Sequence, residues 1–272
     1  MEIVTRFAPS PNGPMHMGHA YSAIVAHELA KDAGGRFLLR IEDLDRTRSR
    51  AEFTDDFLRN LEWLGLEWDE VAPQSTRLQS YANAAEWLFE KGLLYRCICT
   101  RSDILAANPE MGPEGPIYPG ICKDRDIDRS EPGALRLDLE RAMVRVGQLE
   151  WEDTLVGTQT AHPELLGDVV LVRKDLPASY HLAATLDDAA DGVTLVTRGS
   201  DLFAATHIHR VLQQLLGLPV YRWHHHDLIL DEHGRKLAKR RGSPGLSDLR
   251  EAGENGLMLA DKLRLRRLSV GT

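Results

Sequence analysis

His16-Met17-Gly18-His19 sets two imidazoles three residues apart, after a loop holding Pro9, Pro11 and Pro14 and before an apolar helical pattern. A helix starting there turns unpaired backbone N–H groups and a partial positive charge towards the loop, which makes a seat for phosphates. Gly18 lets the backbone approach a nucleotide base, and both imidazoles can donate to charge that builds up as a phosphoanhydride breaks. A bare pair of this kind is as often two capping or surface histidines; the strand–loop–helix setting favours the chemistry. Late in the chain, Arg235-Lys236-Leu237-Ala238-Lys239-Arg240-Arg241 puts five cations in seven residues. Loop lysines are point charges suited to a triphosphate, although such a run taken alone is usually a solvated face.

Cys97, Cys99, Tyr118 and Cys122 form a third candidate. All three cysteines of the chain lie within 26 positions, in a turn-rich segment poorly able to build a core. Three thiolates and a phenolate can complete a tetrahedral zinc site, which would supply the missing stability. The competing reading is three buried apolar cysteines. His224-His225-His226 alternate faces on a strand, cannot converge on one ion, and read as structural. Trp63, Trp68 and Trp87 fit packing positions in the core.

The elements that would position these residues alternate. A strand at 3–7 runs into the proline loop; a helix from Ala20 through Ile24, Val25 and Leu29 is stopped by Gly34-Gly35; a strand follows at 36–41, then helices at 51–64 and 77–91. Strand, helix, strand, helix is the pattern of an α/β fold with a parallel sheet. The segment 95–133 has seven glycine or proline positions between Pro109 and Gly120 and no helical periodicity over most of its length. Strand-like runs follow at 135–139, 149–156 and 169–172, so 95–178 reads as an inserted, partly β module. The α/β pattern resumes with a helix near 180–190, a strand at 193–198, a helix at 201–216 and a strand at 228–231. The expected divisions are a first catalytic half at 1–94, the insert at 95–178, a second half with the lysine loop at 179–241, and a short helical tail at 242–272.

Composition narrows the class. With 272 residues, 43% hydrophobic and 27% charged, the chain can bury a core without disulfides, and three cysteines suit a reducing cytoplasm. No signal peptide or membrane-length apolar run is visible, so a soluble cytoplasmic protein with no membrane partner is expected. A net charge of −8 argues against nonspecific nucleic-acid binding. Local basic faces at 235–241 and at Arg264, Arg266 and Arg267 keep a confined RNA contact open.

The paired histidine and lysine motifs together resemble the signatures of class I aminoacyl-tRNA synthetases. Arg6-Phe7-Ala8-Pro9-Ser10-Pro11-Asn12-Gly13 closely resembles the RFAPSPTG opening of glutamyl-tRNA synthetases. Arg40-Ile41-Glu42-Asp43-Leu44-Asp45 is similar to their R-[IV]-E-D-[TI]-D stretch, and Arg198-Gly199-Ser200-Asp201 to their RGxD. The resemblance covers about residues 3–245. Asn12 stands where that family has Thr or Ser, and Ala238 and Arg240 where KLSKS has serines; the lysines and glycines are kept, so slower or altered chemistry is expected rather than loss. The cysteine pattern resembles the zinc site of the glutamyl-queuosine tRNA(Asp) synthetases, short paralogues of the same family.

The resemblance implies a Rossmann-type catalytic domain with an inserted zinc module and no anticodon-binding domain, since only 31 residues follow Arg241. It implies a monomer using L-glutamate, ATP with Mg²⁺, and the anticodon stem-loop of tRNA(Asp). Arg6, Ala8, Ser10, Glu42, Tyr180 and Arg198 line up with glutamate-binding positions; Arg forks can pair bidentately with a γ-carboxylate and Glu42 can take the ammonium. His16, Gly18, His19 and Lys239 would bind ATP, and His16, His19, Lys236 and Lys239 would stabilise the phosphate charge. Three alternatives remain: a truncated glutamyl-tRNA synthetase charging a tRNA 3′ end, a nucleotidyltransferase carrying HxGH, and a non-catalytic RNA-binding paralogue. The 6–13 and 40–45 stretches speak against the nucleotidyltransferase.

Overall fold

The protein is described from a computed structural model covering residues 2–45, 47–128, 130–230 and 245–269. Chain order begins with β1 (Val4–Phe7), α1 (Met17–Asp32), β2 (Arg36–Leu39), α2 (Ala51–Trp63), β3 (Asp69–Glu70) and α3 (Leu78–Glu90). β1 and β2 pair in parallel from Val4↔Arg36 to Phe7↔Leu39, and β3 joins the outer side of β2. The crossover is α1, whose small and apolar residues from Ala20 to Ala26 are buried against the sheet. Its return is tight. Gly34 holds φ +61, and a side chain on Gly35 would collide with the Ile3 carbonyl oxygen.

The second half of the sheet comes from β11 (Leu195–Gly199) and β12 (Arg222–His226), parallel to each other, then β8 (Glu150–Asp153), parallel to β12, and β9 (Gly157–Thr160), antiparallel at the edge. Just before β11, the Thr194 N–H donates to the Val4 carbonyl at 2.9 Å, so β1 and β11 lie side by side at their starts. Above that bond they are joined through side chains, and the two halves leave a cleft at the carboxyl ends of the strands. That is where open parallel sheets take their ligands. α6 (Tyr180–Ala190) and α7 (Ala205–Leu216) cover this half, with Trp223, Trp151, Leu182 and Ile208 in its core.

Within 95–178 the chain serves two purposes. β4 (Leu94–Cys97), β7 (Ala134–Leu137) and β10 (Val170–Val172) build a small antiparallel sheet, with the β5–β6 hairpin (Met111–Gly112, Gly115–Pro116) beyond it. β8 and β9 instead extend the large sheet. The segment also holds α4 (Arg101–Ala106) and α5 (Leu139–Val146), helices that the sequence reading lacked. Both start on side-chain caps, Thr100 and Asp138, and are short enough to hide among turns.

Three further expectations change. The strand placed at 228–231 is found earlier, at β12, on the histidine run that reads as a strand but is not among the expected sheet elements. Trp63, Trp68 and Trp87 are half-buried rims packed against the core, whereas Trp151 and Trp223 are inside it. The tail forms α8 (Leu246–Glu251) and α9 (Gly256–Ser269). α9 docks on α1 through Ala260 and Leu263, and Arg264 pairs with Glu28 and Arg267 with Asp32. All three tail arginines therefore find partners within the fold, Arg266 through the Leu228 carbonyl. Among the described residues no helix is long and apolar enough to cross a membrane.

The Gly35 contact gives a stability test. Gly35→Ala forces the α1–β2 return off the Ile3 carbonyl, and a loss of about 3 kcal/mol is expected, a fall in Tm of at least ~6 °C in thermal unfolding. An unchanged Tm would show that this close approach is not required.

Candidate active site

The cleft is a cavity of about 510 Å³ lined by Arg6, Ala8, Ser10, Glu42, Tyr180 and Arg198 together with His16, Gly18 and His19. Residues from the two sheet halves and from two helix starts thus meet in one place. Lys236 and Lys239 lie outside the described residues.

His16 and His19 organise the start of α1. His16 Nδ1 accepts the N–H groups of Gly18 (3.1 Å) and His19 (3.4 Å), and His19 Nδ1 accepts the His16 N–H at 3.4 Å. The rings stack with centroids 3.7 Å apart. The capping and chemical readings of these histidines therefore coexist: with Nδ1 accepting on both rings, each neutral imidazole carries its proton on Nε2.

Below the cleft, Arg40 is fully buried and bonds Asp191 at 2.9 Å and Asp188 at 2.8 Å, with Glu42 at 3.4 Å. Arg6 reaches the same Asp188 through Nε (2.9 Å) and Nη2 (3.3 Å), and donates Nη1–H to the Thr197 carbonyl at 2.8 Å. Burial alone would raise the pKa of Asp188, but the two arginines outweigh it and hold its pKa below the ordinary carboxylate range. Burial dominates at Glu42, whose pKa is raised. A bound ammonium would favour its charged form. Sequence reasoning did not find Asp187, Asp188 or Asp191 as partners; a buried acidic pair inside an apolar helix pattern was the available signal.

Arg198 differs from Arg6. It is 4% exposed, yet among the described residues it makes no ion pair. Its guanidinium donates to Tyr180 Oη (2.8 Å), His209 Nδ1 (3.3 Å), His225 Nε2 (3.1 Å) and Thr206 Oγ1 (2.5 Å). Those neutral partners occupy four of its five N–H donors. The open two-pronged fork expected from the sequence is thus not available here; an uncompensated charge and one N–H are. Tyr180 keeps its proton because burial raises its pKa. The three strand histidines, read as structural, divide: His225 backs Arg198, while His226 lines the cavity and meets Ser22 at 2.7 Å.

Away from the cleft, the sulfurs of Cys97, Cys99 and Cys122 lie within 4.8 Å of one another. Tyr118 Oη sits 3.3 Å from Cys97 Sγ and 3.4 Å from Cys99 Sγ, and accepts the Cys122 N–H at 2.9 Å. Burial opposes ionisation of Cys122, yet donors from Tyr118 and the Ile98 backbone bring its pKa down to about 7. The Arg136 guanidinium lies 3.8 Å over the Tyr118 ring.

Residues 2–272 match the family described as tRNA synthetases class I (E and Q), catalytic domain. The chain belongs to this family. It is 49% identical over 268 residues to a glutamyl-Q tRNA(Asp) synthetase of Rhodobacter capsulatus, covering 92% of this chain and 96% of that protein. To the glutamyl-Q tRNA(Asp) synthetase of Deinococcus radiodurans it is 42% identical, covering 96% and 88%. A glutamate–tRNA ligase of Nitratidesulfovibrio vulgaris is 38% identical, but the chain spans 54% of its length. The crystal structure of a glutamate–tRNA synthetase from Elizabethkingia anophelis superposes with a TM-score of 0.74 at 26% identity, covering 89% of this chain and 53% of that one.

Family membership and geometry coincide at the RFAPSPNG stretch, whose Arg6, Phe7, Ala8, Pro9 and Ser10 all line the cavity. Asn12 departs from the family pattern and points outwards, bonding Ser49 at 3.2 Å. At Gly199 a side chain would meet the Asp201 carboxylate and the Leu228 side chain, which would have to shift.

The buried histidines make stability pH-dependent. Burial pushes the pKa of His207, His224 and His225 down to about 4 from an ordinary 6.5. Unfolding therefore takes up protons between those values. The stability they contribute is complete above the unfolded pKa and is lost as pH falls towards the folded one, at about 1.4 kcal/mol per pH unit for each histidine. Denaturant unfolding at neutral and mildly acidic pH should show this decline; a flat profile would mean that the histidines are hydrated.

Proposed function

We propose that the protein activates L-glutamate with ATP in the absence of tRNA, then transfers the glutamyl group to the queuosine base at the wobble position of tRNA(Asp). The observation that carries the reading is Arg198: a buried cation without a carboxylate partner among the described residues, in a cleft whose other wall is a two-histidine helix start. An uncompensated buried charge is costly, and a substrate carboxylate relieves it. Glutamine would bring no charge, so selection for glutamate follows. Glu42 takes the α-ammonium, and Arg6, Ala8, Ser10 and Tyr180 complete the pocket. Names of relatives at 42–49% identity that match over most of their own length support this acceptor.

In the first step a glutamate α-carboxylate oxygen attacks the α-phosphorus of ATP, which arrives as its Mg²⁺ complex. The bond to the β-phosphate bridging oxygen breaks, and pyrophosphate leaves. Gly18 admits the nucleotide; His16, His19, Lys236 and Lys239 balance the charge that moves onto the leaving phosphates. In the second step a hydroxyl of queuosine's cyclopentene-diol attacks the glutamyl carbonyl, loses its proton, and releases AMP. Loop bases are readily splayed out for such an attack. The reading makes the protein a cytoplasmic monomer that contacts only the anticodon stem-loop.

The cysteine cluster fits a metal. In a tetrahedral zinc site with Zn–S bonds of about 2.3 Å, sulfurs lie ~3.8 Å apart, and Cys99 and Cys122 stand at 3.5 Å. Cys97, Cys99, Tyr118 and Cys122 would hold a structural zinc that ties the insert together. One zinc per chain is expected by elemental analysis of metal-replete protein, and Cys122→Ser should lower stability before it abolishes glutamate binding. Metal-replete protein without zinc would refute the assignment.

The function is tested by glutamate-dependent ATP–pyrophosphate exchange without tRNA. Lys239→Ala should reduce it by about 2 kcal/mol, roughly 30-fold, if that lysine acts in the transition state. Queuosine-containing tRNA(Asp) should accept glutamate and an unmodified transcript should not. Equal glutamylation of both, or an ester lost on trimming the 3′ adenosine, would favour charging of a tRNA 3′ end. Absence of exchange would leave an RNA-binding paralogue.

A further inference from the structure

Behind Arg198 runs a directed chain of hydrogen bonds. Asp153, at the end of β8, is 1% exposed, and its carboxylate accepts four N–H groups. Oδ1 takes the backbone N–H of Leu155 (2.8 Å) and Val156 (3.3 Å). Oδ2 takes the backbone N–H of His225 (3.1 Å) and its Nδ1–H (2.7 Å). A carboxylate can only accept, so the ring proton of His225 is on Nδ1 and Nε2 carries a lone pair. That lone pair faces Arg198 Nε at 3.1 Å. The strands enforce the alignment: Arg198 is paired in register with His225, and β12 is paired with β8. Trp151 and Phe203 pack on the imidazole with ring centroids 5.8 and 4.9 Å away.

We propose that Asp153 and His225 are positioning residues that fix the tautomer of the imidazole, and through it the orientation of Arg198, thereby setting glutamate affinity and selection against glutamine without touching the substrate. The inference rests on the reading of Arg198 as the carboxylate-binding residue.

Asp153→Asn separates the tautomer from the packing. The amide has one accepting oxygen, so its NH2 must face either two backbone N–H groups or the two N–H groups of His225. In the second arrangement the ring shifts its proton to Nε2, which then opposes Arg198 Nε–H. His225→Phe keeps a ring between Trp151 and Phe203 but removes the acceptor; His225→Gln restores a carbonyl acceptor close to the Nε2 position.

The experiment is glutamate-dependent ATP–pyrophosphate exchange, with Arg198→Lys alongside and glutamine as a competing substrate. In Asp153→Asn and His225→Phe the glutamate KM should rise about ten-fold or more, and glutamate-over-glutamine discrimination should fall by a similar factor. The ATP KM should stay within about two-fold and kcat at saturating glutamate within about three-fold, because the interaction lost is one of binding. His225→Gln should recover most of the glutamate KM. Unchanged glutamate KM in folded Asp153→Asn and His225→Phe, or a parallel decline of kcat and both KM values, would overturn the positioning role. Should His225→Phe fail to fold, Asp153→Asn and His225→Gln decide the same question. An unchanged glutamate KM in Arg198→Lys would instead overturn the glutamate reading itself.

Discussion

Asp188 holds the two strands of the first sheet half to the helix of the second. Arg6 on β1 and Arg40, just after β2, both bond its carboxylate from within the core, and α6, which carries it, packs on α7 in the second half. Breaking a buried pair of this kind leaves a charge stranded, at a cost of roughly 3–5 kcal/mol. That cost makes the arrangement selective. β1 and β11 are bonded backbone to backbone only near their starts; higher up, Arg6 joins them by donating to the Thr197 carbonyl while its other donors hold Asp188 on α6. The two halves are therefore joined at the cleft through side chains and not by a continuous ladder. Asp187, beside it, extends the lattice to Gln74, Tyr81 and Arg77, so α3 and the loop after β3 are set by the same carboxylates.

A third buried arginine follows the opposite rule. Around Arg6 and Arg40 negative charge is abundant, whereas Arg198 has only hydroxyls and neutral imidazoles among its bonded partners. Burial lowers the pKa of His209 and His225, so these rings accept from the guanidinium and add no competing positive charge. One half of the cleft is thus electrostatically complete in the folded protein and serves as scaffold. The other half is completed only by an anion. This asymmetry follows from placing two similar residues, at the ends of neighbouring strands, in differently charged surroundings.

Much of this was legible in the sequence because it rests on local rules. Proline loops, a helix beginning at Met17 and a glycine return at Gly34-Gly35 specify strand–loop–helix–strand without tertiary information, and the histidine motif falls where that pattern ends the loop. The cysteine cluster was readable from all three cysteines falling in one turn-rich segment, together with the resemblance of their pattern to a known zinc site. What escaped depended on pairing across the chain. The three histidines of β12 read as structural strand residues, but their place between β11 and β8, and the burial that keeps them neutral, come only from pairing across the chain. The acids of α6 look like a solvated face until Arg6 and Arg40, nearly 150 or more positions away, are folded against them. Likewise, Arg264 and Arg267 suggested a basic surface, but their carboxylate partners on α1 lie far upstream.

The same long-range packing places the described residues on either side of 231–244. Leu228 and Ile229 line the cavity just before it. After it, Gly245 forms a β-bridge with His16, and Leu246 donates its N–H to the Met15 carbonyl at 2.9 Å. Asp56 on α2 clamps this junction, accepting the Met15 N–H on one oxygen (3.2 Å) and the Ser247 hydroxyl on the other (2.8 Å). Both anchors of the segment are therefore at the cleft, one on the wall shared with His226 and one on the residue that caps α1. α8 and α9 hold the second anchor by packing Leu246, Ala260 and Leu263 into the core beneath α1 and α2. The helical tail thus acts on the site without lining it: it holds Gly245 against His16, the residue that caps α1.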